Sequence, residues 1–451
     1  MTRQTIKVAR GLNIPIGGVA AGEVTDGAEV SRVALLGSDY RGLKPSMEVA
    51  EGDRVSLGQP LFTDKKNPGV QFTAPGAGKV LEINRGARRA LRSVVIELSG
   101  DSEMTFEHFA AGDLAGLPRQ TIVENLLRSG LWTALRTRPF GKVASPEGTP
   151  DAVFVNIMDT NPLAGSLDWL LAEQADAFVH GLTIVSKLTE GFCFVCCAPG
   201  ATVPGEAERI AQVVEFAGPH PAGLVGTHIH FLHPVGPGRE VWYLGLQDVI
   251  AIGKLFTSGK LAPERIVTLG GPMAARPRQL RTRAGASIRE LLDGELKSGS
   301  CRVVSGSILN GHRASGWSAY LGRYHSQVTL LPEESPREFA VYMRPGFNQY
   351  SASKAYASSL LSKARFRLTT SLHGSRRAMV PIGNFEKIMP LDLLPAPLLK
   401  SLIVEDTDTA QALGCLELEE EDLALCSFVC PSKYEYGRHL RDTLTLIEKE
   451  G

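Results

Sequence analysis

No apolar run in this chain approaches the ~18 residues that a membrane-spanning helix needs. Neither sign of charge prevails: 48 Lys and Arg balance 48 Asp and Glu. A nucleic-acid-binding protein normally shows a basic excess gathered into a stripe, so nucleic acid is not an expected partner. Cysteines are few and odd in number, seven in all, with Cys193, Cys196 and Cys197 crowded together. That argues against a disulfide framework and for a reducing compartment. The first residues, Met1-Thr-Arg-Gln-Thr-Ile-Lys-Val8, run straight into strand-like alternation and lack the apolar stretch of a signal peptide.

What is present suffices for several cores. The 451 residues are 43% apolar and 21% charged, and a prior of about 150 residues per domain gives roughly three domains. Residues 1–100 read as β structure, with β-branched runs at Val30–Leu36 and Ser93–Leu98. Gly52-Asp53 and Gly58 supply turns between short strands, and Val55, Leu61 and Val80 fill a small core. The pattern resembles a barrel-sandwich fold of the lipoyl or biotinyl type. Asp64-Lys65-Lys66 stands where such a domain carries its cofactor, but Asn67-Pro68-Gly69 follows too early, so these lysines read as structural.

Residues 101–256 alternate between helix and strand, which predicts a parallel, doubly wound sheet. Helices are expected over Thr121–Arg128, Asp168–Val185 and Glu206–Phe216, and buried strands over Ala152–Ile157 and Gly191–Cys196. Residues 257–335 return to short strands, Arg265–Leu269 and Cys301–Val304, with a helix at Ser287–Leu292, as in a β-grasp domain. After Pro332–Pro336 the chain is mixed and turns helical, giving a mainly helical unit over 336–451.

Cys426-Ser-Phe-Val-Cys430-Pro431 reproduces the closing half of the ferredoxin run C-x2-C-x2-C-x3-C-P. The two earlier ligand positions hold Glu420 and Leu423, and Cys415 does not restore the spacing. Two thiolates cannot hold a four-iron cluster, so neither a cluster nor another metal is expected. In Gly226-Thr-His228-Ile-His230-Phe-Leu-His233, a strand would put His228 and His230 on one side. No carboxylate stands nearby to complete a metal site. A polar cluster facing a ligand, or a surface approached closely through Gly223 and Gly226, fits better. There is neither a G-x-G-x-x-G nor a P-loop. Ser129–Pro139 stands where a glycine loop would be, with large side chains in the space that a phosphate needs. Arg136, Arg138 and Lys142 read as a solvated basic edge, or as a contact for an anion or an acidic surface.

Several stretches together resemble one family: Asn67–Val70, Gly130–Pro139, Met158–Pro162, His220–Gly223 and Ala410–Leu416. It is the family of A subunits of the bacterial sodium-translocating NADH:quinone oxidoreductase. That family is in turn similar to the C subunit of the Rnf complex, as well as to the NADH-binding flavoprotein of respiratory complex I. The resemblance implies a barrel-sandwich domain, a degenerate Rossmann-like flavin domain, a β-grasp domain of the SLBB type, and a helical C-terminal unit resembling a cluster-free ferredoxin domain.

Set against those relatives, this sequence departs from the functional motifs. The glycine-rich flavin loop becomes Gly130-Leu-Trp132-Thr-Ala-Leu135-Arg136, and the acidic element becomes Asn156-Ile-Met-Asp159-Thr-Asn161-Pro162. The third loop, His220-Pro-Ala-Gly223, is followed by Leu-Val225 and loses its acid. The resemblance therefore implies a chain without its own flavin, iron–sulfur centre or independent activity. NADH, FMN, FAD and iron–sulfur cofactors would sit on other subunits. It also implies a peripheral place on the cytoplasmic side of the inner membrane, beside the C subunit of the complex and its integral B subunit. Ubiquinone is the implied ligand, with Trp132, Leu135 and Phe140 packing against its ring and His220, His228 or His230 bonding a carbonyl. The other reading is a catalytically silent scaffold.

Overall fold

The computed structural model describes residues 3–333, 343–361 and 363–450, so the part of the expected boundary at residues 334–336 lies outside it. The first two strands leave the amino-terminal unit. β1 (Gln4–Lys7) and β2 (Val24–Asp26) are each built into the sheet of a later unit.

The barrel-sandwich follows, from β3 (Arg32–Leu36), β4 (Pro45–Met47), β5 (Arg54–Val55), β6 (Pro60–Asp64), β7 (Gln71–Thr73), β8 (Gly78–Arg85) and β9 (Leu91–Leu98). These form a four-stranded sheet ordered β3-β9-β8-β5 and a three-stranded sheet ordered β4-β6-β7. Between them lie Val33, Leu61, Phe62, Phe72, Val80, Val94 and Ile96, all buried. Lys65 and Lys66 are exposed in the β6–β7 turn. That hairpin does not swing free like a carrier's: the Asn67 side chain donates to the Val143 and Ala144 carbonyls of the next unit, at 3.3 and 3.0 Å.

The α/β unit contains α1 (Arg119–Ser129), β10 (Arg136–Arg138), β11 (Ala152–Asn156), α2 (Asp168–Glu173), α3 (Ala175–Ser186), β12 (Phe192–Cys197), α4 (Ala207–Ile210), β13 (Gln212–Ala217), α5 (Val225–Leu232), β14 (Val241–Gly245) and α6 (Leu246–Ser258). The six-stranded sheet runs β1-β13-β12-β11-β14-β10, parallel except for β10. Helices α3 and α6 cover one face. They approach so closely that a Cβ on Gly181 would lie 1.9 Å from the Val249 carbonyl oxygen. Helix α5 covers the other face through Val225 and Ile229, against Phe154, Val214 and Phe216.

Three local readings of this unit change. The expected helix over Glu206–Phe216 is a single turn followed by strand β13, because Val213, Val214 and Phe216 suit a buried strand. The helix expected over Asp168–Val185 breaks at Gln174 into α2 and α3. His228 and His230 lie on helix α5, not on a strand. Val225, Gly226, Thr227, His228 and Ile229 are all buried, and this burial outweighs the two-residue alternation of the histidines.

The β-grasp unit has β15 (Glu264–Gly270), β16 (Arg278–Arg283), α7 (Ile288–Leu291), β17 (Cys301–Ser305), β18 (His312–Arg313) and β19 (Gln327–Pro332). Its sheet is ordered β18-β17-β19-β15-β16-β2, with α7 packed on it through Ile288 and Leu291 and capped by the Ser287 hydroxyl. The last unit holds α8 (Asn384–Ile388), α9 (Pro395–Ile403), α10 (Thr407–Ala412), α11 (Ala424–Val429) and α12 (Tyr436–Glu450) around a core of Leu398, Leu402, Leu440 and Leu444. Among the described residues, no helix is long and apolar enough to cross a membrane.

Candidate functional site

Strands β11, β12 and β13 advance across the sheet in one direction, and β14 lies on the other side of β11. Ligands of open α/β sheets bind at such a reversal, beyond the carboxyl ends of the strands. A cleft of about 520 Å³ opens there. Its walls are Asn156–Asn161 after β11, Gly245–Asp248 at the start of α6, and two stretches of the β-grasp unit, Gly306–Ser307 with Asn310 and Arg323–Gln327. Arg136, Tyr243 and Glu421 also line it, so three units contribute.

Polar and apolar groups share the lining about equally. Arg136 lies between two tyrosine rings, 4.6 Å from the Tyr243 centroid and 4.4 Å from that of Tyr324. Arg323 donates to Asp248 at 2.9 Å through Nη1, while its buried Nη2 has no hydrogen-bond partner among the described residues. Gln327 donates to the Pro162 carbonyl at 3.1 Å, and its buried Oε1 is unmatched among the described residues. The Asp159 carboxylate accepts from the Asn161 backbone at 2.8 Å and side chain at 2.9 Å. Burial still pushes its pKa up. Burial, helped by His312 and Arg136, pushes the His325 imidazole down to about 3, so it is neutral.

Behind one wall is a buried cluster of charge. Arg138 is fully buried beside three carboxylates of the C-terminal unit. It lies 2.7 Å from Asp422, 3.3 Å from Glu419 and 3.6 Å from Glu421, and also donates to the Glu417 carbonyl at 2.8 Å. The expectation of a solvated basic edge is thereby corrected: the acidic surface that Arg138 meets belongs to this same chain. Burial opposes the charge on Glu419, but Arg138 and Arg136 outweigh it and hold its pKa at about 2. Glu421 goes the other way, because burial and then its neighbours Glu419 and Asp422 raise it to about 7. Close approach of the two units requires Gly226, where a Cβ would lie 2.2 Å from an Asp422 oxygen. The close surface expected at Gly226 is therefore part of this same chain, and Gly223 closes instead on Thr160, 2.6 Å from where a Cβ would lie.

The six residues suggested for a quinone do not line this cleft. Trp132 and Leu135 have no exposed surface. The indole donates to the Ala144 carbonyl at 2.8 Å and packs edge-on against Trp242. Phe140, at φ 76°, packs on the C-terminal core, and its carbonyl accepts from Arg441 at 2.6 Å. His228 is buried against Phe216 and bonded to the Ala222 carbonyl at 2.9 Å, and burial takes its pKa down to about 4. His230 bridges Glu417 at 2.7 Å and the Asp392 amide at 2.9 Å, which ties α5 to the C-terminal unit. His220 touches a residue of the cleft wall. Its Nδ1 lies 3.1 Å from the hydroxyl of Thr160, which does line it, and burial lowers its pKa to about 4.

Sequence reasoning did single out Asn156–Asn161, but it passed over Tyr243, Arg323, Tyr324, His325 and Gln327. Only the run Arg323-Tyr-His-Ser-Gln327 after Gly322, rich in hydrogen-bonding groups, offered a signal. Where the ferredoxin ligands would stand, Glu420 is paired with Arg441 at 2.7 Å and with Arg41 at 2.7 Å, and Leu423 is buried in the core. Cys426 and Cys430 are buried, and the Cys430 thiol contacts the Tyr436 hydroxyl at 3.2 Å. No group of three or more His, Cys, Asp or Glu that could hold a metal occurs among the described residues.

Three family models match successive parts of the chain. The NqrA N-terminal barrel-sandwich hybrid domain matches residues 6–99, the NqrA second alpha/beta domain 117–261, and the model described as the NQRA C-terminal domain, of SLBB type, 266–316. Among curated proteins, the A subunit of the Na(+)-translocating NADH-quinone reductase of Saccharophagus degradans is 54% identical over 99% of this chain and all of that protein. Its counterpart in Pseudomonas aeruginosa is 54% identical and that in Yersinia pseudotuberculosis 53% identical, with the same coverage. Among solved structures, an air-oxidized NAD+-reducing NiFe-hydrogenase matches at 11% identity, covering 76% of this chain and 66% of that chain with a TM-score of 0.36. That likeness is too weak to bear on fold or activity.

Proposed function

The chain belongs to the family of A subunits of the Na(+)-translocating NADH-quinone reductase and is a subunit of that enzyme complex; from this premise we propose that its own part is to bind quinone in the interdomain cleft and to hold the complex together. The observation that carries this reading is the cleft itself. It lies at the strand reversal, has a volume in the range of small-molecule sites, and keeps polar groups unmatched in its walls. A quinone offers two carbonyl acceptors and a planar ring, which suit the Arg323 guanidinium and the Tyr243 and Tyr324 rings in the cleft wall.

On this reading the chain carries no flavin and no iron–sulfur centre of its own. The place of a phosphate loop is filled by Trp132, and the Thr133 carbonyl is taken by the Tyr324 hydroxyl at 2.8 Å. Glu420 and Leu423 supply no thiolates, and their surroundings are an ion pair and a packed core. Electrons would then reach quinone from cofactors on other subunits. The chain would sit peripherally on the cytoplasmic side, against the C subunit of the complex and its integral B subunit.

A second reading, a silent scaffold with the quinone site wholly on membrane partners, is favoured by one observation. Five of the six suggested contacts, Trp132, Leu135, Phe140, His228 and His230, are used inside the chain. Titrating the purified protein with ubiquinone-1 separates the two. Saturable binding that Arg323→Ala weakens at least tenfold supports the cleft, and no binding to the folded wild type favours the scaffold.

A further inference from the structure

The chain as a whole is neutral, but its charge is not evenly spread. Residues 343–387 hold eight Lys and Arg against a single acid, Glu386, which leaves the other 406 residues with seven more acids than bases. Among the described residues of this segment, Lys354, Lys363, Arg365, Arg376, Arg377 and Lys387 are all exposed.

The same segment exposes large apolar side chains: Leu360 at 83% and Met343 at 77%, with Phe347, Leu361, Leu372 and Ile382 each more than half exposed. Scattered single exposures need no explanation, but a run of them on one basic stretch marks a contact surface. Among the described residues of the segment before α8 there is little regular structure, with a short 3-10 turn at Ala357–Leu360. It is nevertheless attached to the body at several points: Phe366 bridges to Ile16, the Thr370 amide donates to the Pro332 carbonyl at 3.3 Å, and the Ser432 hydroxyl donates to the Ala378 carbonyl at 2.7 Å. It is held to the body at these points and carries exposed cations and exposed apolar side chains.

Resting on the reading above that the chain belongs against a membrane, we propose that residues 343–361 and 363–387 bind anionic phospholipid headgroups, with the apolar side chains entering the interface. Charge decides between lipid and protein as the occupant. Cytoplasmic loops of integral proteins are themselves enriched in Lys and Arg, so they repel a basic platform. Anionic headgroups attract juxtamembrane bases, and each contributes independently within a Debye length. Leucine and phenylalanine beside lysine and arginine is the combination that lies in a headgroup boundary.

The test uses the purified full chain with vesicles of phosphatidylcholine, alone or mixed with phosphatidylglycerol. Co-sedimentation is expected only with phosphatidylglycerol present and should fall steeply with added salt. The double variant Arg376→Glu/Arg377→Glu should lower vesicle affinity at least about tenfold. Leu360→Ser/Leu361→Ser should lower it also, and neither pair should change thermal unfolding, since all four residues are exposed. Equal binding to neutral vesicles, no binding at all, or variants that bind like the wild type would overturn the proposal. Loss of incorporation into the complex without any vesicle binding would also overturn it, assigning the platform to a protein partner. Failure of the membrane reading itself is distinguishable, because the wild-type chain would then not be recovered with the membrane complex.

Discussion

Arg136 and Arg138 stand two residues apart on β10, and both lie over the ring of Tyr243. Their surroundings nevertheless differ in kind. Arg138 is sealed among Glu419, Glu421 and Asp422, and it fastens the sheet to the C-terminal helices. Arg136 is partly open to the cleft, where Arg323 and Gln327 retain unmatched polar atoms. A buried ion pair is weak evidence for stability, but removing one of its partners is costly. Arg138 thus joins domains from a sealed position, while Arg136, itself 3.6 Å from Glu419, keeps one side open to the cleft. Two similar residues on one strand need not share a role.

The largest effect separating these two places is expected from Arg138→Met. Three carboxylates would remain buried without their cation, costing about 3–5 kcal/mol. Thermal unfolding together with early proteolysis around residues 384–450 would register it, and an unchanged melt would remove Arg138 from the junction. Trp132→Ala should cost a similar ~3–5 kcal/mol through the cavity it leaves. Ubiquinone-1 affinity of the folded fraction should stay within about twofold, and a tenfold loss would restore Trp132 to the site.

Glu421→Gln sharpens the comparison through pH. An unfolded glutamate releases its proton near 4.3, whereas Glu421 in the folded chain holds its proton up to about 7. The folded state therefore binds the extra proton between those values, and stability falls as pH rises through that window. The loss should level off above it, at on the order of 3–4 kcal/mol. Denaturant melts between pH 5 and 8 should show a shallower slope in Glu421→Gln, and an identical slope would contradict the assignment. Smallest in stability, under about 1 kcal/mol, should be Arg323→Lys, which keeps the Asp248 pairing but loses the guanidinium fork. Its expected signature is weaker quinone binding without a change in melting.

The sequence was legible where local pattern and burial agree. Turns at Gly52 and Gly58 mark the barrel-sandwich, and apolar runs at Ala152–Asn156 and Phe192–Cys197 mark the sheet. It misled where tertiary packing overrode local period. His228 and His230 alternate as on a strand but are drawn onto a helix by the apolar residues around them. Arg138 looked like a surface charge because its carboxylates lie some 280 residues away. The cleft was only half legible for the same reason. Asn156–Asn161 follows a recognisable strand, whereas Arg323–Gln327 comes from another domain and meets it only in the fold.

The most direct measurement is backbone hydrogen exchange of the purified protein with and without ubiquinone-1. If quinone binds where three units converge, peptides covering Asn156–Asn161, Gly306–Asn310 and Arg323–Gln327 gain protection together, while those covering Trp132 and His228 exchange as before. Protection at Trp132 and His228 with none at those three peptides, or no protection anywhere at saturating quinone, would contradict the account.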